Sequence, residues 1–368
     1  MIKATPSTPA RLALIVAGRL DQLTGGYLYD RRIVEALRAR GITVELHCLD
    51  GRFPEPDDIA RASLERALAS CTEGSLVVLD GLAANAMPEV LEVHRHRLSL
   101  VALIHHPLGD EAGLDEAQQQ RLLSLECRAL EAVRGIIVTS AFTRRRLVAL
   151  GAEADRISVV EPGIAPVALS PADGEPPRLL CIATLIPRKG QHLLIEALAA
   201  LGEYPWHCDL IGDERDADYA RALRELIEAK GLASRLTLHG ALPPQALEAH
   251  WQRCDLFVLP SFYEGYGMVV AEALAHGLPV VTTTGGALAD TLPPTAGLHV
   301  PPGDAPALAE ALSTLLWHEG GRSERYARLR AGAVAARDTL NDWPKAADAF
   351  RGALERIQGH DFRLTFSG

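Results

Sequence analysis

An alternation of short apolar runs with helical stretches occurs twice along this chain and is interrupted once, and no other feature restricts its fold as much. Residues 12–17 are continuously apolar and end at Gly18, the pattern of a parallel strand buried on both faces. The glycine pair Gly25 and Gly26 leads into a helical pattern over 27–40, with Ile33, Val34 and Leu37 on one side and Gly41 closing it. Residues 42–48 alternate apolar and polar with period two. Further strands are predicted at 76–79, 98–104, 136–138 and 157–160, with helical patterns between most of them. Such alternation predicts an α/β fold with a doubly wound parallel sheet, because parallel strands need crossover helices.

Around Pro162 the pattern is lost. Pro162, Gly163, Pro166, Pro171, Gly174, Pro176 and Pro177 break any periodicity, and 163–177 reads as a linker. Beyond it the alternation resumes, with strands predicted near 179–183, 208–211, 236–238, 256–259 and 280–282. The expected organisation is a Rossmann-like N-terminal domain over 1–162, a linker over 163–177, and a second Rossmann-like domain over 178–342. A C-terminal helix within 343–368 is expected to pack back toward the N-terminal domain. Two such sheets would face a cleft lined by their carboxyl ends, where open parallel sheets bind ligands.

At 368 residues, 48% hydrophobic and 23% charged, the chain has the balance of a globular protein with material for two cores. A net charge of −10 argues against nucleic acid as a partner, since polyanion binding needs a basic surface. No apolar run approaches the roughly 18–20 residues that span a bilayer, and the N-terminus, with Pro6 and Pro9, lacks the apolar core of a secretion signal. Six dispersed cysteines without a C-x-x-C pair fit a reducing compartment, so a cytoplasmic protein is expected. Of 37 basic residues only four are lysines: Lys3, Lys189, Lys230 and Lys345. Arginine is the default cation here, and a lysine is the marked choice.

The segment L-P-S-F-Y-E-G-Y-G-M-V-V-A-E-A-L, from Leu259 to Leu274, reads as strand, loop and helix. Gly265 and Gly267 let the backbone approach a ligand closely, and the helix start offers unpaired N–H groups to an anion. Glu264 in the loop and Glu272 in the helix can accept hydrogen bonds from hydroxyls. The blander alternative is a solvated loop acid and a surface helix residue. Glu272, however, sits among Val269, Val270, Ala271, Ala273 and Leu274, where a carboxylate needs a partner. Arg188 and Lys189 lie in another strand-to-helix loop, just before Gly190. Two cations and a helix N-terminus together favour a diphosphate. The chain has no G-x-G-x-x-G and no G-x-x-x-x-G-K-[ST], which removes the usual dinucleotide and P-loop readings.

Glu264 and Glu272, with seven residues between them, resemble the Glu-x7-Glu signature of glycosyltransferase family 4, retaining nucleotide-sugar-dependent enzymes with the GT-B fold. The likeness extends over nearly the whole chain. V-V-E-P-G-I resembles the family's inter-domain segment, and I-A-T-L-I-P-R-K-G-Q-H-L-L-I-E-A-L its diphosphate loop. G-L-P-V-V-T-T-T-G-G-A-L-A-D and G-L-H-V-P-P-G-D resemble its last two C-domain motifs. The resemblance implies that Glu264 contacts hydroxyls of the donor sugar and Glu272 those of the ribose, with amides around Gly265, Tyr266 and Gly267 near sugar and phosphates. Arg188 and Lys189 would hold the diphosphate. Gly25 and Gly26 would form the glycine loop facing phosphates and acceptor. A functional histidine is expected at the carboxyl edge of strand 98–104, where the doublet His105 and His106 stands, with His105 favoured. The chain departs from the family at Thr184, where an arginine is usual: either Arg188 supplies that charge from the other side of the loop, or phosphate binding is weaker.

The implied reaction moves a sugar from a nucleoside-diphosphate sugar, a UDP- or GDP-sugar, to a hydroxyl of a carbohydrate, lipid-linked or small-molecule acceptor, with retention. It implies a role in carbohydrate or glycoconjugate biosynthesis, no cofactor and no metal, and, for a lipid acceptor, peripheral contact with the cytoplasmic face of the membrane. Two alternatives stay open. One is a catalytically silent nucleotide-sugar-binding sensor or scaffold, for which Thr184 is the hint. The other is a different GT-B enzyme, a sugar-nucleotide epimerase or a phosphorylase. Asp216-Ala217-Asp218 imitates a metal-binding Asp-x-Asp but is expected to open a helix, where acids suit the dipole. Arg144-Arg145-Arg146 is expected to be a solvated helix start, and His94 and His96 surface residues.

Overall fold

A computed structural model describes residues 11–111, 113–316 and 322–359. The N-terminal stretch read above for a signal and positions 360–368 of the expected C-terminal helix segment lie outside the described residues. The chain forms two units, one from the segment up to Gly163 together with that from Asn341 on, the other from Ile164–Leu340.

The first unit holds β1 (Arg11–Ala17), β2 (Thr43–Leu49), β3 (Leu76–Asp80), β4 (Ser99–Ile104), β5 (Gly135–Val138) and β6 (Ile157–Val159). They form one sheet in the order β2-β1-β3-β4-β5-β6, with every pair parallel. Every residue of β3, β4 and β5 is buried, as crossover helices on both faces require, and this is why these strands read as unbroken apolar runs. Edge strand β2 exposes Thr43 and Glu45 in step with its period-two pattern, whereas Cys48, on the apolar side of that pattern, is also exposed. Gly25 and Gly26 are the first two residues of the helix Gly25–Arg38. The C-terminal helix Trp343–Gln358 packs on that helix, and Arg40 clamps Asp348 with bonds of 2.7 and 2.9 Å. Gly163 passes so close to Trp343 that a Cβ would lie 2.2 Å from its amide nitrogen.

The arginine run falls in the first turns of the helix Ala141–Ala149, where Arg145 is exposed as expected while Arg144 and Arg146 are half-buried. Arg146 grips Asp110 with a bidentate pair at 2.7 and 2.8 Å, and Arg144 donates to the Ala154 carbonyl. The cause is the short helix Leu108–Asp110, which brings a mostly buried carboxylate up to this surface. His94 is likewise half-buried, accepting from Arg97 Nε at 3.0 Å, while His96 is exposed.

The second unit holds β7 (Arg178–Ile182), β8 (His207–Ile211), β9 (Leu236–His239), β10 (Leu256–Leu259), β11 (Val280–Thr283) and β12 (Gly297–Val300). Its order is β12-β11-β10-β7-β8-β9, again all parallel. Asp216 caps the helix Ala217–Ala229 by accepting from Tyr219 N at 2.9 Å. Much of the segment expected as a linker is tied down on this unit. Ser170 donates to the Cys254 carbonyl at 2.8 Å, and the buried carboxylate of Asp255 accepts from the amides of Gly174 and Arg178 at 3.0 and 2.8 Å. All six cysteines are free thiols. Among the described residues no helix is long and apolar enough to cross a membrane.

Glu126, on the helix Glu116–Ala132, is completely buried and bonded to Asn85 Nδ2. Burial, with the charge of Asp110 adding to it, pushes its carboxyl up to about 8, against the pull of the Leu108 amide and Arg146. Between the unfolded value of roughly 4.3 and about 8, the folded protein therefore holds a proton that the unfolded chain has released, and stability falls as pH rises through that window. Glu126→Gln should remove this term. Urea unfolding at pH 5.5 and 7.5 should show wild type losing up to roughly 1.4 kcal/mol per pH unit more than the variant.

Candidate functional site

In the second sheet the chain reverses direction between β7 and its neighbour β10, and the loops after these two strands meet at the carboxyl edge. Such a reversal splays two loops apart and opens a crevice, which makes it the default ligand position in a doubly wound sheet. The loop after β7 passes through the single turn Pro187–Lys189 to Gly190 and the helix Gln191–Ala199. The loop after β10 carries 260–267 into the helix Met268–Ala275.

Backbone contacts join the two loops. The Phe262 amide donates to the Arg188 carbonyl at 2.8 Å. Gly190 has φ +68°, and a Cβ there would lie 2.2 Å from the Pro260 carbonyl oxygen, so only glycine fits. Buried Gln191 donates back to the carbonyls of Ala183 and Thr184 at 3.3 and 3.0 Å. Glu264 forms a parallel bridge with Gly286, and its carbonyl accepts from Ala287 N at 2.8 Å. Thr291 Oγ1 holds the Tyr266 carbonyl at 2.5 Å.

On this frame the side chains converge. Glu264 Oε1 accepts from Lys189 Nζ at 2.5 Å and from Ser261 Oγ at 2.7 Å. Arg188 Nη1 donates to the Tyr263 carbonyl at 2.6 Å and stands 3.9 Å from Glu264 Oε2. Glu264 is 8% exposed, which overturns the reading of a solvated loop acid. Burial alone would raise its carboxyl, but the charges of Lys189 and Arg188, with the bonds from Lys189 and Ser261, hold it below the ordinary glutamate value. Arg188 and Lys189 thus stand with Glu264 beside the N-termini of two helices, a setting that favours an anion. Gly265, Tyr266 and Gly267 complete the same loop, Gly267 capping the helix at φ +89°. Glu272 is half-buried two turns further on, its carbonyl accepting from His276 Nδ1. Thr184 contributes its backbone carbonyl to the fixing of the first loop.

The first unit has a second cluster, at the reversal between β1 and β3. His105, directly after β4, has Nε2 3.0 Å from Asp30 Oδ1 and 3.6 Å from Asp80 Oδ2. Its ring lies against Gly26, where a Cβ would meet Cδ2 at 3.0 Å, and Tyr29 approaches it edge-on at 5.3 Å. His106 instead pairs with Glu111 at 3.0 Å. Burial works against charge on His105, but Asp30, through charge and hydrogen bond, and then Asp80 outweigh it and raise its pKa. Asp80 is pushed up to about 7 by burial and by Asp30, with His105 pulling the other way. Sequence reasoning missed Asp30 and Asp80. A polar residue ending the apolar run of β3 was the available signal for Asp80, whereas Asp30 had none, lying in an ordinary polar stretch of helix.

Residues 176–318 match the family described as Glycosyl transferases group 1. Over 217 residues the chain is 33% identical to a D-inositol 3-phosphate glycosyltransferase of Xylanimonas cellulosilytica, covering 54% of this chain and 51% of that protein. It is 27% identical over 244 residues to a GDP-mannose-dependent alpha-(1-6)-phosphatidylinositol monomannoside mannosyltransferase of Mycobacterium tuberculosis, covering 59% and 63%. The chain thus spans between about half and two thirds of the length of these curated relatives. In structure it is similar to the sucrose-phosphate synthase of Thermosynechococcus elongatus, with a TM-score of 0.78, 23% identity, and 94% and 98% of the two chains covered. It is also similar to Anabaena HepE, solved in complex with UDP and glucose, with a TM-score of 0.73, 20% identity, and 93% and 99% covered. Both likenesses are likenesses of fold, and that fold is GT-B.

The closeness of the two loops in the second unit gives a direct test of the frame. Gly190→Ala adds a strained φ and a clash with Pro260, and should destabilise this unit by about 3 kcal/mol, read as a lowered urea midpoint.

Proposed function

We propose that this chain is a glycosyltransferase of the family 4 type, its group 1 match over residues 176–318 lying in a GT-B fold, and that it transfers a sugar from a nucleoside-diphosphate sugar to an acceptor hydroxyl with retention of configuration. The observation that carries this reading is the convergence of Arg188, Lys189 and Glu264, with two helix N-termini, at the reversal point of the second sheet. As the glycosidic bond breaks, negative charge grows on the leaving β-phosphate. Arg188, Lys189 and the start of helix Gln191–Ala199 are suited to stabilise it, because fixed charges held by a rigid backbone need no reorganisation during the reaction.

In this proposal Glu264 accepts hydrogen bonds from sugar hydroxyls and Glu272 from the ribose, while the amides around Gly265, Tyr266 and Gly267 line the sugar and phosphates. Thr184 leaves the phosphate charge to Arg188 and Lys189. Gly25, Gly26 and His105 serve the acceptor side. Of the doublet, His105 has the buried acid partners that fix a ring's orientation, which supports it over His106. We favour a front-face substitution in which the leaving phosphate oxygen takes the acceptor proton. No cofactor and no metal enter this step. A relative named for GDP-mannose dependence and a neighbour of the same fold solved with UDP support a UDP- or GDP-sugar as donor. A carbohydrate, lipid-linked or small-molecule acceptor, and a cytoplasmic setting with peripheral membrane contact for a lipid, belong to the same proposal.

Thermal-shift titration with UDP-, GDP- and ADP-sugars should single out one base, adding about 2.7 kcal/mol of stability at a hundredfold excess over Kd. With that donor, Lys189→Ala should lower kcat by roughly 10²–10³-fold or more while far-UV circular dichroism stays that of wild type. Near-normal turnover by this variant, or donor binding by wild type without transfer or hydrolysis across several acceptors, would overturn the assignment.

A further inference from the structure

Three groups of the second unit take no part in the chemistry above and yet converge. Asp209 lies on β8, His239 ends β9, and His250 lies in the helix Pro244–Trp251. His239 Nε2 is 2.8 Å from Asp209 Oδ1, and His250 Nδ1 is 3.1 Å from Asp209 Oδ2. The two imidazoles meet edge-on with centroids 4.9 Å apart. One donor atom from each of the three residues lies within 4.8 Å of the others.

The backbone explains the meeting. Ile211 is in register with His239, so Asp209, two residues earlier on β8, projects from the same face of the sheet as His239. Trp251 is buried against Phe257 and stacked on His276, which holds the end of its helix so that His250 reaches that face.

We propose that Asp209, His239 and His250 form a binding site for one zinc-type divalent cation, separate from the transfer site. Two imidazole nitrogens and one carboxylate are a donor set that suits Zn²⁺, with a water in the fourth position. Ligand bonds of about 2.0–2.2 Å in a tetrahedral site place donor atoms roughly 3.3–3.6 Å apart. The separations of 2.8 and 3.1 Å to the two oxygens of Asp209, and the 4.8 Å span of all three donor atoms, bring the groups close enough for side-chain adjustment to admit the ion. The ligands come from two strands and a helix, so their positions are largely fixed in advance. All three side chains are partly exposed, which gives the ion and its water a way in. The charge also fits: one carboxylate and two neutral rings balance half of the dication.

The test uses the untagged full chain, stripped with a chelator and titrated with Zn²⁺ by calorimetry and with Co²⁺ by visible absorption. One equivalent should bind, Co²⁺ should give the d–d bands of a four-coordinate site, and zinc should raise the melting temperature. His250→Ala, and His239→Gln, which keeps a hydrogen-bond donor toward Asp209, should each weaken binding by about 100-fold or more, since even outer-shell changes cost 10–100-fold. His105→Ala, which alters the separate cluster with Asp30 and Asp80, should leave zinc binding unchanged. Absence of stoichiometric binding by wild type, unaltered affinity in both His250→Ala and His239→Gln, or loss of binding in His105→Ala would overturn the proposal.

Discussion

The buried contact of Lys189 with Glu264 ties together the two loops on which the candidate donor site is built. Each residue comes from a different strand-to-helix loop, 75 positions apart in sequence, and neither group would tolerate burial alone. Without Lys189, Glu264 would keep the Ser261 hydroxyl at 2.7 Å and Arg188 at 3.9 Å. The backbone supports the pair from both sides: Phe262 donates to Arg188, and Gly190 lets Pro260 pass where any side chain would block it. The choice of lysine at 189, in a chain with only four, is consistent with a compact point charge on a flexible stem reaching a carboxylate in a narrow space. Arg188, with its planar fork, divides its attention between the Tyr263 carbonyl and the far oxygen of the same glutamate.

The first unit solves a related problem differently. There a histidine stands against two buried carboxylates, and the charges do not balance without a proton shared among them. Asp80, pushed up to about 7 by burial and by Asp30, exchanges a proton near neutrality. The result is a ring fixed by Asp30, by the edge of Tyr29 and by the close surface of Gly26, which places the glycine pair and the histidine in one structural feature.

Much of the fold was legible because burial on both faces of a parallel sheet writes itself into sequence as continuous apolar runs, as in β3, β4 and β5. The loop acids and cations of the second unit were legible too, since glycines and charges at a strand-to-helix passage have few other uses. What sequence could not display is distance. Nothing local marks Asp30 as a partner of His105, 75 positions away, and Arg146 reads as one more surface arginine until Asp110 is brought beside it. The segment 163–177 lacks periodicity and so reads as free linker, yet its Gly174 amide and Ser170 hydroxyl find buried acceptors at Asp255 and Cys254. Breaker-rich composition reports the absence of regular structure, which is compatible with firm attachment.

The strand orders of the two sheets bear on how the halves can be compared. In the first, only β2 lies beyond β1 before the chain doubles back; in the second, both β8 and β9 lie beyond β7. Aligning the halves strand by strand would therefore set the end of β3, where Asp80 stands, against the end of β9, at the outer edge of its sheet. The places that correspond are instead the carboxyl ends of β3 and β10, with Asp80 ending the strand in one half and Glu264 in the loop that follows in the other. Any comparison of the halves as diverged copies, or any chimera that exchanges equivalent strands, has to skip one whole strand–helix unit to keep the candidate-site positions in register.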